Sequence, residues 1–153
     1  MIYVGIDPGK HGGIAAIDEH RQVWFHQATP QDDMELLAIF MRLRSDAGTG
    51  IVAVLEYVRS SPQMGVVSAF TFGRGYGALR MALAASRISY EEVTPGKWQT
   101  QLGCRSQGNK NVTKARAAAL FPEVKVTHAV ADALLLAEYG RRTIGGMKDD
   151  ADF

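Results

Sequence analysis

A chain of 153 residues, 46% of them hydrophobic, is sized for one compact domain with a sizeable core. No apolar run reaches the roughly eighteen residues of a membrane span, the opening MIYVGIDPGK lacks the pattern of a secretory signal, and a single cysteine, Cys104, excludes an internal disulfide and fits a reducing, cytoplasmic setting. The net charge of +1 conceals a segregation: residues 1–57 carry a balance of −4, residues 58–142 of +7 and residues 143–153 of −2, so a polyanion meets a local basic surface rather than the average.

In chain order, Ile2–Ile6 is predicted as a strand, Asp7–Gly13 (DPGKHGG) as a Gly/Pro-rich turn and Ile14–Ile17 as a second strand. After a turn at Asp18–His20, Arg21–Gln27 makes a third strand with Val23 and Phe25 on one face. Three consecutive strands with short links form an antiparallel meander. Asp32 or Asp33 caps a helix in which Met34, Leu37, Phe40, Met41 and Arg44 follow at helical spacing. Ile51–Leu55 is continuously apolar, as a buried parallel strand is, and ends at Glu56.

Beyond a Ser-Ser-Pro turn, Met64–Arg87 predicts one long helix or two abutting ones. Ile88–Val93 is a weaker fifth strand, punctuated by Pro95. Asn111–Phe121 is helical, with Lys114 and Arg116 exposed, and Cys104 falls in a polar loop before it. The final helix, from about His128 to Arg142, presents Ala131, Leu134, Leu135 and Tyr139 as its apolar face. One domain over residues 1–144 and a flexible acidic tail over 145–153 complete the chain. The order βββ-α-β-α-β-α-α is the ribonuclease H-like α/β arrangement: a mixed five-stranded sheet, three strands antiparallel and the rest parallel, flanked by helices. That architecture hosts many chemistries, so function must come from particular side chains.

The acids supply it. Asp7 and Glu56 each terminate a strongly apolar strand, where a carboxylate contributes nothing to packing and is costly to bury without a counter-charge or metal. Asp132 lies inside the last helix among alanines and leucines, although Asp is a poor mid-helix residue. His128 is four residues earlier and shares its helix face. Carboxylates with at most one imidazole suit Mg²⁺, with Mn²⁺ able to substitute, better than Zn²⁺. Two such ions about 4 Å apart would serve phosphodiester cleavage.

The ordered set Ile6-Asp7-Pro8-Gly9 with Gly12-Gly13, Leu55-Glu56 and Ala131-Asp132-Ala133-Leu134 resembles the RuvC-type Holliday junction resolvases. The likeness extends through FGRGYG at 72–77, PGKW at 95–98 and AEYGRR at 137–142, looks closest to phage and prophage members, and covers residues 2 to 142. It implies a homodimer, in the host cytoplasm if phage-encoded, that binds a four-way DNA junction and nicks opposing strands. Asp7, Glu56 and Asp132 would carry over as metal ligands. The family's fourth ligand commonly stands three residues before the final Asp, which here is Ala129, so the fourth role falls to His128.

Lys10, beside Asp7, would meet the scissile phosphate, while Arg59, Arg74, Lys97, Arg105, Lys110 and Lys114 would track the junction backbone. The glycines of Gly73–Gly77 are expected to let two helices approach closely, at a dimer interface, rather than to cradle phosphate.

Three rivals stand beside this reading. A ribonuclease H or another branched-DNA nuclease would use the same acids on a different substrate. A sugar kinase or actin-like ATPase shares a turn like DPGKHGG but needs two such domains. A DNA-binding protein that has lost a ligand would explain Ala129.

Overall fold

The computed structural model describes residues 1–147. Ten elements follow in order: β1 (Ile2–Asp7), β2 (Gly13–Asp18), β3 (Val23–Ala28), α1 (Asp33–Ala47), β4 (Ile51–Glu56), α2 (Val66–Ala85), β5 (Ser89–Val93), α3 (Pro95–Gln101), α4 (Lys110–Leu120) and α5 (His128–Thr143). The strands form one mixed sheet in the order β3-β2-β1-β4-β5. β1 runs antiparallel to β2, and β2 to β3, whereas β1–β4 and β4–β5 pair in parallel. The acidic tail expected from 145 falls, from residue 148 on, outside the described residues.

β1 is central and buried along its whole length, which is why it reads as unbroken apolar sequence. Ile2, Val4 and Ile6 face one side with Leu55 and Ala53 of β4, against Leu36, Phe40 and Leu43 of α1 and Leu79 and Leu83 of α2. Val54 and Tyr3 face the other side, towards α5. β3, at the sheet edge, alternates half-buried and exposed positions, with Val23 and Phe25 inward as its period-two pattern requires.

Several sequence expectations are corrected. The α1 stripe is Leu36, Phe40 and Leu43, while Met34 and Met41 lie in solvent. Pro95 does not simply punctuate β5. It opens the extra helix α3 at its first turn, where a missing N–H costs nothing. Cys104 lies in the polar loop between α3 and α4 as expected, but it is buried beside Trp98 and Leu102, and burial pushes its thiol up to about 11. Arg116 is half-buried, its Nε donating to the Leu102 carbonyl at 2.9 Å. Lys114 is half-buried too.

α5 is buried almost all round, not on one stripe. From Val130 to Arg141 the residue that keeps partial exposure is Asp132. Near its end, Glu138 is fully buried and accepts from Arg141 Nε (2.7 Å) and Nη2 (2.9 Å) and from Arg142 Nε (2.7 Å), with Arg21 Nη2 at 3.4 Å. Burial alone would raise the Glu138 carboxyl, but the arginine hydrogen bonds and charges hold it below the usual range. Charge-assisted bonds of this kind fix the helix against the β2–β3 turn.

Candidate active site

The parallel register of β1 and β4 pairs Ile6 with Leu55, so the next residue on each strand is an acid: Asp7 and Glu56. Because side chains alternate along a strand, Asp7 falls on the face of Tyr3 and Glu56 on that of Val54, the face covered by α5. Two glycines make the assembly tight. A Cβ on Gly5 would stand 1.9 Å from the Ala133 carbonyl oxygen and 2.3 Å from the Ala137 nitrogen, so α5 lies directly on the β1 backbone one residue from Asp132. A Cβ on Gly12 would stand 2.0 Å from the Asp7 carbonyl oxygen, so the Pro8–Gly12 turn closes tightly on the Asp7 main chain.

These constraints bring Asp7, Glu56 and Asp132 into electrostatic reach of one another. Asp7 is only 8% exposed. Burial pushes its carboxyl up to about 8, the negative charges of Glu56 and Asp132 push it in the same direction, and Lys110 opposes them. Burial likewise pushes Glu56 up to about 7, against a hydrogen bond from Trp98 and the charge of Lys110, with Asp132 adding to the rise. Raised carboxyls in a cleft mark a site built for charge that the protein alone does not supply.

Glu56 and Asp132 share a cleft of about 330 Å³ with Arg105, Lys110, Gln99 and Thr113. Of the DNA-facing candidates, Lys110 and Arg105 therefore join the acids. Lys97, on α3, and Lys114, on α4, belong to the helices flanking this cleft. Lys10 and Arg74 instead line a second cleft of about 330 Å³ with Phe72, between the Pro8–Gly12 turn and α2. Arg59 stacks over the Tyr57 ring at 5.3 Å, just past β4. His128 is exposed at the first position of α5, one turn before Asp132.

Among the described residues, no three acids, cysteines or histidines already close on one point as a bound ion's cage requires. Carboxylates without a cation between them repel, so an open arrangement is the expected one. The donors nonetheless fit a hard divalent cation: Asp7, Glu56 and Asp132 offer oxygen alone, and Asp132 Oδ1 is buried with no hydrogen-bond partner. An unpaired buried carboxylate oxygen is expensive unless something positive takes it.

Trp98 entered the sequence reading only as part of the PGKW motif, with no role at the site. Its indole Nε1 donates to Glu56 Oε2 at 2.7 Å from a fully buried ring. The signal available was the Thr94-Pro95 step, which starts a helix as readily as it ends a strand.

Comparison with solved structures finds the Thermus thermophilus RuvC structure at TM-score 0.70 and 16% identity, covering 95% of this chain and 97% of that one. The chain shares its fold with RuvC. T. thermophilus RuvC in complex with a Holliday junction substrate aligns similarly, at TM-score 0.69 and 16% identity over 95% and 96% of the two chains. The ribonuclease H-like sheet expected from the element order is thus present. No protein-family model and no curated protein sequence matches the chain. Among the described residues, no helix is long and apolar enough to cross a membrane.

Proposed function

We propose that this chain is a structure-specific endodeoxyribonuclease that resolves four-way DNA junctions by hydrolysing the phosphodiester backbone with the help of Mg²⁺ or Mn²⁺. One observation carries the reading: carboxylates from two strand ends and one helix converge, the charges of Glu56 and Asp132 raising the proton affinity of Asp7, in a fold shared with a RuvC solved on a Holliday junction. The catalytic domain on this reading spans residues 1–144, and the chain belongs with the phage and prophage resolvases its motifs resemble.

Asp7, Glu56 and Asp132 would hold the cation, with His128 as fourth ligand or as proton donor to the leaving oxygen. When bound, the cation supplies Lewis-acid chemistry at the scissile phosphodiester. The chain's own groups do the rest. Lys110 places an ammonium against the acids and offers a non-bridging phosphate oxygen a partner. Arg105 lines the same cleft and orients the phosphate, while Lys97 and Lys114 track the strand beyond it. Lys10, Arg74 and Arg59 contact the backbone of a neighbouring arm.

A homodimer would present two such sites to one junction. α2 offers the surface for it. Val66 is 86% and Phe70 73% exposed, Met81 is exposed further along, and nothing lies within 4 Å of where a Cβ on Gly73 or Gly77 would stand. An apolar stripe with small residues lets a second helix approach closely.

The substrate assignment is tested by offering Mg²⁺-loaded protein a mobile four-way junction and an RNA–DNA hybrid of equal length. Junction cleavage is expected to be at least about 100-fold faster, because cations stand beside the acids (Arg105, Lys110) and in a second cleft against the Pro8–Gly12 turn (Lys10, Arg74), where more than one junction arm would meet them. Equal cleavage of the hybrid would leave the site standing and overturn the substrate.

A further inference from the structure

We propose that Trp98 is a positioning residue for Glu56: its buried indole N–H fixes one carboxylate oxygen and so leaves the other free for a cation. The proposal deepens the function given above and rests on Glu56 being a ligand.

The bond is 2.7 Å long and joins residues 42 apart in sequence. Its donor cannot wander. The ring is fully buried, packed with Val93, Leu102, Cys104 and Ala117. Its helix is pinned at both ends: the Trp98 amide donates to the Thr94 carbonyl at 3.3 Å, Leu102 donates back to the Trp98 carbonyl at 3.0 Å, and Arg116 ties the Leu102 carbonyl to α4. A rigid donor therefore holds a flexible acceptor.

Glu56 needs that restraint. A glutamate carries three side-chain torsions, and the nearby Asp132 charge repels it. The choice of donor is informative as well. Indole is neutral and donates only, so it orients the carboxylate without cancelling its charge. A lysine or arginine in the same place would compete with the cation for Glu56, as salt-bridge partners do. Outer groups that orient a ligand in this way change metal affinity without touching the metal.

Trp24 is the other tryptophan, exposed on β3 and remote from the cleft, so Trp24→Phe leaves Trp98 as a lone indole whose N–H resonance is unambiguous. In that background Mn²⁺ is titrated into Trp98→Phe, Glu56→Gln and the double variant. Mn²⁺ affinity is expected to fall about tenfold in Trp98→Phe, with junction binding in the absence of metal unchanged. Adding Trp98→Phe to Glu56→Gln should cost nothing further, because the two changes break one interaction. The indole N–H resonance should move on Glu56→Gln and on Mg²⁺ addition.

If Trp98→Phe fails to fold, benzothienylalanine at 98 replaces the N–H by sulfur in a ring of the same shape and serves as the second variant. Wild-type Mn²⁺ affinity in these variants, with affinity lost in Glu56→Gln, overturns the role of Trp98 alone. Wild-type affinity in Glu56→Gln overturns the ligand assignment, and with it both readings.

Discussion

Asp7→Asn is expected to abolish junction cleavage, by at least about 1,000-fold, while the uncut junction binds as well as before or more tightly. The substitution keeps the shape of the side chain and removes the charge on which a cation would depend. At a pH where the carboxyl is ionised it also removes a negative charge from beside a phosphate, and below that pH it replaces a neutral group by a neutral one, so binding should not suffer. The same variant is expected to be more stable than the parent at high pH when no metal is present.

Asp7 ionises near 3.8 in an unfolded chain and near 8 in the fold, so the folded state holds the proton more tightly. Stability therefore falls as pH rises from about 4 through 8, because ionising a buried acid beside Glu56 and Asp132 opposes folding. Asn cannot ionise. A tenfold difference in proton affinity between the two states corresponds to about 1.4 kcal/mol, and part of the gain is offset by burying an amide, so about 2 kcal/mol is expected at pH 8.5 and almost none near pH 4. Urea unfolding at the two pH values, with gel-resolved cleavage and fluorescence anisotropy on a labelled junction, measures all three effects. A variant that cuts like the parent would remove Asp7 from the chemistry.

The second large effect is structural. Gly5→Ala adds one methyl where the α5 backbone already stands, 1.9 Å from the Ala133 carbonyl oxygen and 2.3 Å from the Ala137 nitrogen. Neither atom belongs to a flexible side chain able to swing aside. The helix must lift from β1, and with it the contacts of Leu134, Ala137 and Tyr3 and the alignment of Asp132 over the strand ends. A loss of about 3–5 kcal/mol is expected, at the upper end of overpacking substitutions. Chemical denaturation checks it. A comparable midpoint for Gly5→Ala and the parent would contradict the close approach on which the site geometry depends.

How much of the fold and site was legible in the sequence depended on which physical signal each residue left. Asp7 and Glu56 were legible because a carboxylate after five apolar residues has no packing role. Asp132 was legible because Asp rarely serves a helix interior. The mixed sheet followed from two short links and one apolar parallel strand.

The α1 face was legible only in part, at Phe40 and Leu37. Met34, Leu37 and Met41 recur at helical intervals just as Leu36, Phe40 and Leu43 do, and periodicity cannot choose between two apolar stripes on one helix. α3 was missed because proline's two roles, ending one element and opening the next, look identical in sequence. The role of Trp98 was missed with it, since its bond to Glu56 is a tertiary contact with no local signature. Lys110 read as one basic residue among seven. Only the fold sets it against the acids.

On the proposed function, the acids at the ends of β1 and β4 and within α5 cut branched DNA with a divalent cation. The most direct test is to incubate the purified protein with a four-way junction labelled on each strand in turn, with Mg²⁺ and with EDTA, and to map the ends. Paired nicks at symmetric positions on two opposing strands are expected, present with Mg²⁺ and absent with EDTA. Cleavage that persists in EDTA, or an intact junction in Mg²⁺ despite tight binding, would contradict it.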